Sequence, residues 1–427
     1  MLLNASRSFR PYTDAPLYMM RATKAAISAY SRAVTPLTLS QIAWAHRRTC
    51  VMCAPTPLVA DRIVPASQSS NRVSVAQTSF CKKASFRKAW IVTFDQQPFT
   101  TAPPVGSVTT VAPGLYWLRL ALPFRLDHVN VYLLDDNGGL AVVDTGLFDD
   151  PTCAIWEQLL PTLGRPITRI IATHCHPDHV GLAGWLARRT GAPLLMSQAD
   201  YLLSLIIHQD PAALESDAYR DFYRGHGLDE AATARMLRNG HAYLRMVSPL
   251  PRVFQRLIAG EVLSIGTRRW NVLTGGGHAP EQVMLHCPAD GLLLSADQVL
   301  ARITPNISVQ AMDPMGDPLG IYLRSLRAIR SAVPDDTLVL PGHNLPFRGL
   351  HDRLDELDAH HASRCAAILD ACQNRPYSAA ALVPVVFGRI IDDPHQMGFA
   401  FSEALAHANR LLRTGALIVE SNQFRAG

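Results

Sequence analysis

The run His174-Cys175-His176-Pro177-Asp178-His179 places three imidazoles and one carboxylate within six residues. Imidazole nitrogen and carboxylate oxygen are ligand types that zinc and related divalent ions accept. A closed structural site would be rich in cysteine, whereas a cluster of His and Asp suits a hydrolytic centre that keeps water bound. The alternative is a polar surface turn with clustered histidines. The preceding residues bear on the choice. Ile167 to Thr173 is a short, mostly apolar stretch that reads as a strand. The run then stands at the C-terminal end of that strand, where open α/β sheets place their ligands. Cys175, between two candidate ligands, is expected to point away and to be structural, because alternate side chains of an extended turn face opposite sides.

Working outward, Gly114–Leu120 alternates as a strand and Val129–Leu134 reads as a second. Asp135–Gly139 is a turn, and Leu140–Gly146 is an apolar strand ending in a polar turn. Residues 151–163 have the spacing of an amphipathic helix, and a further helix begins at Gly181. Residues 199–246 keep helical spacing without strand alternation, so a helical cap over the site is expected across 199–250. Strands return near 261–273, 282–286, 291–295 and 337–340, with a helix over 319–332. Residues 349–427 read as a mostly helical C-terminal domain.

Three of these later strands end on a further candidate ligand. Asn271–His278 runs into three glycines and then His278, and the glycines are expected to let backbone approach a metal centre. Leu292–Asp297 ends on a carboxylate, and Leu338–His343 ends on a Pro-Gly turn and a histidine. Each alone is equally a solvated loop histidine or a helix-capping Asp. With the opening run they become candidate ligands converging on one sheet edge.

In combination these residues resemble the metallo-β-lactamase fold superfamily. Asp144 in Val142-Val143-Asp144-Thr145-Gly146, the His174–His179 run, His278, Asp297 and His343 match its five-part pattern, over about residues 104–348. The resemblance implies an α/β fold, a four-layer αβ/βα sandwich with metals at one edge. It implies that His174, His176 and His278 hold one divalent ion, that Asp178, His179 and His343 hold a second, and that Asp297 bridges them. Asp144 would orient a ligand by hydrogen bonding. Two zinc ions are expected, and the ligand types also permit manganese or iron.

Within the superfamily the chain looks more like the glyoxalase II and β-lactamase-like-protein-2 branch. Asp297 stands where lactamases of the first class place Cys, and the segments Leu354–His361 and Glu403–Leu412 resemble the helical or winged-helix tail of the second family. The implied mechanism has two cations share a water and convert it to hydroxide near neutral pH. Asp178 is the expected catalytic residue, holding the nucleophile in line and shuttling a proton. A small-molecule ester-like bond, thioester or lactone, is the expected substrate. The competing readings are a single-stranded RNA nuclease, a mononuclear iron persulfide dioxygenase and a non-catalytic scaffold. A complete ligand set argues against the last two.

Composition bounds these readings. The chain has 427 residues, 48% hydrophobic and 18% charged, as a globular protein does. No apolar run reaches the roughly 18 residues of a membrane span. The net charge of +5 is unevenly placed. Residues 1–94 hold 13 basic and two acidic residues, a balance of +11, and the remainder holds 27 basic and 33 acidic, a balance of −6. A mildly acidic body without a basic stripe makes nucleic acid an unexpected partner. Residues 1–103 read as a poorly ordered basic extension: a mobile tail, an organelle transit peptide or sequence upstream of a later true start. The eight cysteines form no dense disulfide pattern. Cys50, Cys53 and Cys81 could join in a zinc site, though no fourth ligand is evident. A cytoplasmic location is expected, with organelle targeting the alternative.

Overall fold

In the computed structural model residues 98–427 are described. All but the last few positions of the expected basic extension, and Cys50, Cys53 and Cys81, therefore lie outside the described residues.

The described chain begins as an antiparallel meander. β1 (Val108–Ala112), β2 (Leu115–Ala121), β3 (His128–Asp136) and β4 (Gly139–Val143) pair in order. The β3–β4 turn places Asn137 and Gly138 at φ of 46° and 89°, the paired left-handed positions that a tight hairpin demands. Helix α1 (Asp150–Leu163), whose first turn is capped by the Asp149 carboxylate accepting from Thr152 N–H, crosses over to parallel β5 (Ile167–Ile171). The His174–His179 run leads into the short α2 (Pro177–Val180), then α3 (Ala183–Thr190) and parallel β6 (Leu194–Met196). Helices α4 (Gln198–Gln209), α5 (Asp217–Gly225) and α6 (Glu230–Met246) follow. The two-residue β7 (Gln255–Arg256) then completes a sheet ordered β1 to β7.

A second sheet is built from β8 (Val262–Ile265), β9 (Arg268–Gly275), β10 (Gln282–Cys287) and β11 (Leu292–Ala296), all antiparallel. Helix α7 (Pro318–Ala332) crosses to β12 (Leu338–Pro341), which lies parallel to β11. The tail is α8 (Leu350–Asn374), α9 (Ala379–Phe387) and α10 (Pro394–Arg413), closed by a hairpin of β13 (Leu417–Glu420) and β14 (Gln423–Ala426).

Three apolar cores separate four layers. Between the sheets, Trp117, Tyr132 and Ile171 pack with Trp270, Val283 and Leu340. On the outer face of the first sheet, Leu120 and Val142 pack with Trp156 of α1, Leu186 of α3 and Tyr201 of α4. On the outer face of the second, Met284 and Val339 pack with Tyr322 of α7 and with Leu354 and Phe401 of the tail. Strands covered on both faces become continuously buried, as β4, β10, β11 and β12 are. The order helices, sheet, sheet, helices is the αβ/βα sandwich, with a helix-rich C-terminal domain fused to its last layer. Among the described residues no helix is long and apolar enough to cross a membrane.

Candidate metal centre

Each candidate ligand follows a strand, and several of the turns adopt backbone that ordinary residues avoid. Asp144 after β4 has φ of 63°, Ala296 before Asp297 has 45°, and Asn344 after His343 has 66°. Non-glycine residues at positive φ are uncommon and gather where a fold must aim side chains. Here these three turns flank the same cluster of side chains.

His174, His176 and His278 bring three ring nitrogens together. His176 Nδ1 lies 3.0 Å from His174 Nε2 and 3.0 Å from His278 Nε2. One proton can bridge only one such pair, so a cation satisfies the three lone pairs where hydrogen bonding cannot. Ligands about 2.0 Å from a tetrahedral zinc stand ~3.3 Å from one another, close to the spacing seen. A second group joins Asp178, His179 and His343, and Asp297 reaches both. Asp178 Oδ2 is 3.5 Å from His179 Nε2 and 3.3 Å from His343 Nε2. Asp297 Oδ2 is 3.1 Å from His343 Nε2 and 3.5 Å from His278 Nε2, and its Oδ1 is 3.4 Å from His179 Nε2. His179 Nε2 and Asp297 Oδ1 are buried without a hydrogen-bond partner. Buried polar atoms left orphaned are rare, and both of these face the cluster. The donor set and the two orphaned atoms fit divalent cations.

The outward nitrogens are anchored, which fixes tautomer and ring orientation. His179 Nδ1 donates to Asp144 Oδ2 at 2.8 Å, His278 Nδ1 to the Asn306 carbonyl at 2.8 Å, and His343 Nδ1 to the His128 carbonyl at 2.7 Å. Thr173 donates its hydroxyl to Asp144 and stands 3.0 Å from His174 Nδ1. Asp144 also accepts from Thr173 N–H, so one carboxylate organises both histidine groups.

The electrostatics divide the cluster. Burial, with neighbouring imidazoles, drives His174 well down and His176 to about 3, keeping both neutral. Burial also pulls on His179 and His343, but Asp297 and Asp178 outweigh it. His179 is raised well above its ordinary value and His343 to about 10. Burial pushes Asp178 and Asp297 upward, and their histidine partners more than reverse it, so both are held below the usual carboxylate range.

Several supporting residues left little trace in the sequence. Asn130 donates to the carbonyls of Pro341 and Asn344, and His128 Nε2 accepts from Asn344 N–H, so β3 clamps the turn bearing His343. Asp200, fully buried, accepts from the backbone N–H groups of Cys175 and Glu281 and so ties the His-rich run to the loop after His278. Ser197, which caps α4, accepts from Asp200 N–H and donates to its carboxylate. Cys175 is buried with its thiol against the Asp200 carboxylate, and Tyr243 donates to its carbonyl. The expectation for the glycines before His278 is corrected. A Cβ at Gly275 would meet Gln298, one at Gly276 Ile321, and one at Gly277 the Pro318 carbonyl and Tyr322. Those glycines serve packing against α7 and Gln298. The glycine pressed on the cluster is Gly342, whose Cβ would lie 2.3 Å from Asp297 Oδ1.

His208, His226 and His241 all find ordinary partners, in the Ser204 and Val247 carbonyls, the Phe222 carbonyl and Glu215. His361, Glu403 and His407 form a further buried group, with His361 Nδ1 3.0 Å from His407 Nε2. There Glu403 already pairs with the Arg364 guanidinium, which supplies the positive charge.

The model of the metallo-beta-lactamase superfamily matches residues 124–343, which span all seven candidate ligands. The chain belongs to the metallo-beta-lactamase superfamily. The model of the metallo-beta-lactamase-like C-terminal domain matches residues 365–424. A crystal structure of a beta-lactamase domain protein from Burkholderia ambifaria is 38% identical, with a TM-score of 0.72, covering 78% of this chain and 98% of that one. A metallo-beta-lactamase family protein from Thermus thermophilus is 29% identical with a TM-score of 0.64, covering 74% of this chain and all of that one. A UPF0173 metal-dependent hydrolase of Cupriavidus taiwanensis is 33% identical over 93 residues, which is 22% of this chain and 32% of the relative. This chain thus spans about a third of the length of that curated relative.

Proposed function

We propose that the chain is a metal-dependent hydrolase that uses two divalent cations, zinc foremost, to cleave an ester-like bond, a thioester or lactone, in a small molecule. The observation that carries this reading is the convergence of seven candidate ligand side chains, two of which turn a buried atom without a hydrogen-bond partner into the cluster, with outward nitrogens already anchored. His174, His176 and His278 would hold one cation; Asp178, His179 and His343 would hold the other; Asp297 would touch both. Bound there, such cations polarise a substrate oxygen and acidify water to a nucleophile near neutral pH.

The chain's own groups do the rest. Asp144 and the His128 and Asn306 carbonyls keep the inner nitrogens of His179, His343 and His278 aimed inward. Asp178 is the more exposed of the two inner carboxylates, 19% against 8% for Asp297. It can therefore reach an incoming molecule, orient the attacking water and accept its proton. No side-chain nucleophile is needed. The acidic balance of residues 95–427 favours a small substrate over RNA. The hydrolase activity named for the Cupriavidus relative supports the hydrolase class.

The test is metal analysis paired with a panel of a thioester, a lactone, a nitrocefin-type lactam and single-stranded RNA. Two equivalents of metal and hydrolysis of the thioester or lactone are expected. Asp178→Ala and His343→Ala should each lower that rate by on the order of 100-fold. Unchanged rates in both variants would sink the two-cation mechanism. One equivalent of iron with oxygen uptake on a persulfide would replace hydrolysis by dioxygenation.

A further inference from the structure

The C-terminal helices grip the loop that joins β11 to α7. That loop starts at Asp297, passes Asn306 and ends at Asp317, which caps α7. Along it, Arg353 of α8 donates to the Leu300 and Ile303 carbonyls, Val309 N–H donates to the Ser402 carbonyl, and Asn409 donates to the Pro314 and Gly316 carbonyls. The grip tightens at Asn306. Its side-chain amide donates to Glu403 Oε2 at 3.1 Å, and its backbone carbonyl accepts from His278 Nδ1 at 2.8 Å. Glu403 is buried and held in turn by Arg364 of α8.

From this chain of contacts we infer that Glu403 is a positioning residue of the metal centre. Through Asn306 it sets the orientation of His278, so that the C-terminal domain governs affinity for the cation held by His174, His176 and His278. The inference rests on the proposed metal centre. The physical reason is geometric. An imidazole binds well only with its lone pair aimed inward, and His278 has its aim set by the Asn306 carbonyl. Asn306 sits on a loop without regular structure. Its side chain is held by Glu403, by Ser308, whose hydroxyl donates to its Oδ1, and by the Phe399 carbonyl at 3.4 Å, and Glu403 is the charged partner among them. Loss of partners that orient a ligand typically weakens metal binding by about 10–100-fold.

The experiment uses the full chain and a double-mutant cycle of Asn306→Ala and Glu403→Leu, with Glu403→Gln as the conservative variant. Arg364→Met accompanies Glu403→Leu alone, so that neither member of the buried pair is left without the other. Zinc affinity is read by chelator competition, the visible spectrum of the cobalt-loaded protein reports ligand geometry, and thermal melts report folding. Asn306→Ala is expected to weaken one of two cations about tenfold and to shift the cobalt spectrum, with little change in melting temperature. Glu403→Gln keeps an oxygen that can accept from Asn306 and should retain affinity. Glu403→Leu, which cannot accept, removes one of the Asn306 side chain's contacts and leaves those to Ser308 and the Phe399 carbonyl, so it should weaken affinity in the same direction and no more than Asn306→Ala, and combining the two should add nothing to Asn306→Ala. Unchanged affinity in Asn306→Ala and Glu403→Leu overturns the inference while leaving the hydrolase reading intact. Equal weakening of both cations in step with a lower melting temperature also overturns it, since that is general destabilisation. A parent protein that takes up no metal at all overturns the proposed function and this inference with it.

Discussion

Replacing Gly342 by Ala should disable the metal centre while leaving the fold in place. A Cβ there would stand 2.3 Å from Asp297 Oδ1 and 2.8 Å from His179 Cε1, whereas real Cβ contacts essentially never fall below 3.0 Å. The Asp297 oxygen must then retreat by at least about 0.7 Å, the gap between 3.0 and 2.3 Å. The backbone cannot give way instead. Gly342 N–H donates to the Ala296 carbonyl at 2.8 Å, and the Gly342 carbonyl accepts from Asn130 N–H at 2.7 Å, so the turn is clamped from both sheets. Overpacking of this kind costs about 1–3 kcal/mol, and a misplacement of about 1 Å at a reacting centre costs on the order of 100-fold in rate. Gly342→Ala should therefore bind cations about 10- to 100-fold more weakly and turn over an ester substrate about 100-fold more slowly. Chelator competition, initial rates and a melt on the same samples measure all three. A folded variant with two tightly held metals and a rate within twofold of the parent refutes the claim that Asp297 is confined by this glycine.

The remaining predictions concern charge, support and the extension. In the metal-free protein His343 is raised to about 10, so its stabilising contribution is fully present below its ordinary value near 6.5 and is lost as pH rises through about 10; melts of parent and His343→Gln should converge across that window. Cation binding at neutral pH must displace protons from His179 and His343, so calorimetry in buffers of different ionisation enthalpy should show proton release, and its absence would remove the charge pairing described above. Asp200→Ala leaves the Cys175 N–H buried without an acceptor, at a cost of about 1–3 kcal/mol in denaturant melts, and should also loosen cation binding at His176. Deleting residues 1–95 should leave hydrolytic rate unchanged, and a large loss would give the extension a part in catalysis.

How much of this was legible follows from which signals are local. The ligand run, the three later strand ends and the long buried strands are written in short windows, because apolar runs and strand-end polar residues are consecutive in the chain. β6 and β7 were not legible: three and two residues are too few to show a period, and they exist only because neighbouring strands offer hydrogen bonds. The β13–β14 hairpin also escaped, being mostly exposed and so lacking a buried alternation. Its Ser421-Asn422 turn holds both residues at positive φ, a conformation that only the folded structure shows.

The same division runs through the site. The sequence by itself determined the ligand types, their order and the resemblance that named the fold, since donor chemistry and spacing are properties of the chain. Only the tertiary structure decided which groups hold those ligands in place. Asn130, Asp200, Asn306 and Glu403 lie far in sequence from the atoms they steady, and their role depends on distances that folding alone creates. It also decided which glycine matters. Gly275, Gly276 and Gly277 stand beside a ligand in the chain, yet Gly342 stands against the cluster in space, because the close approach of β11 and β12 leaves no room there for a methyl group.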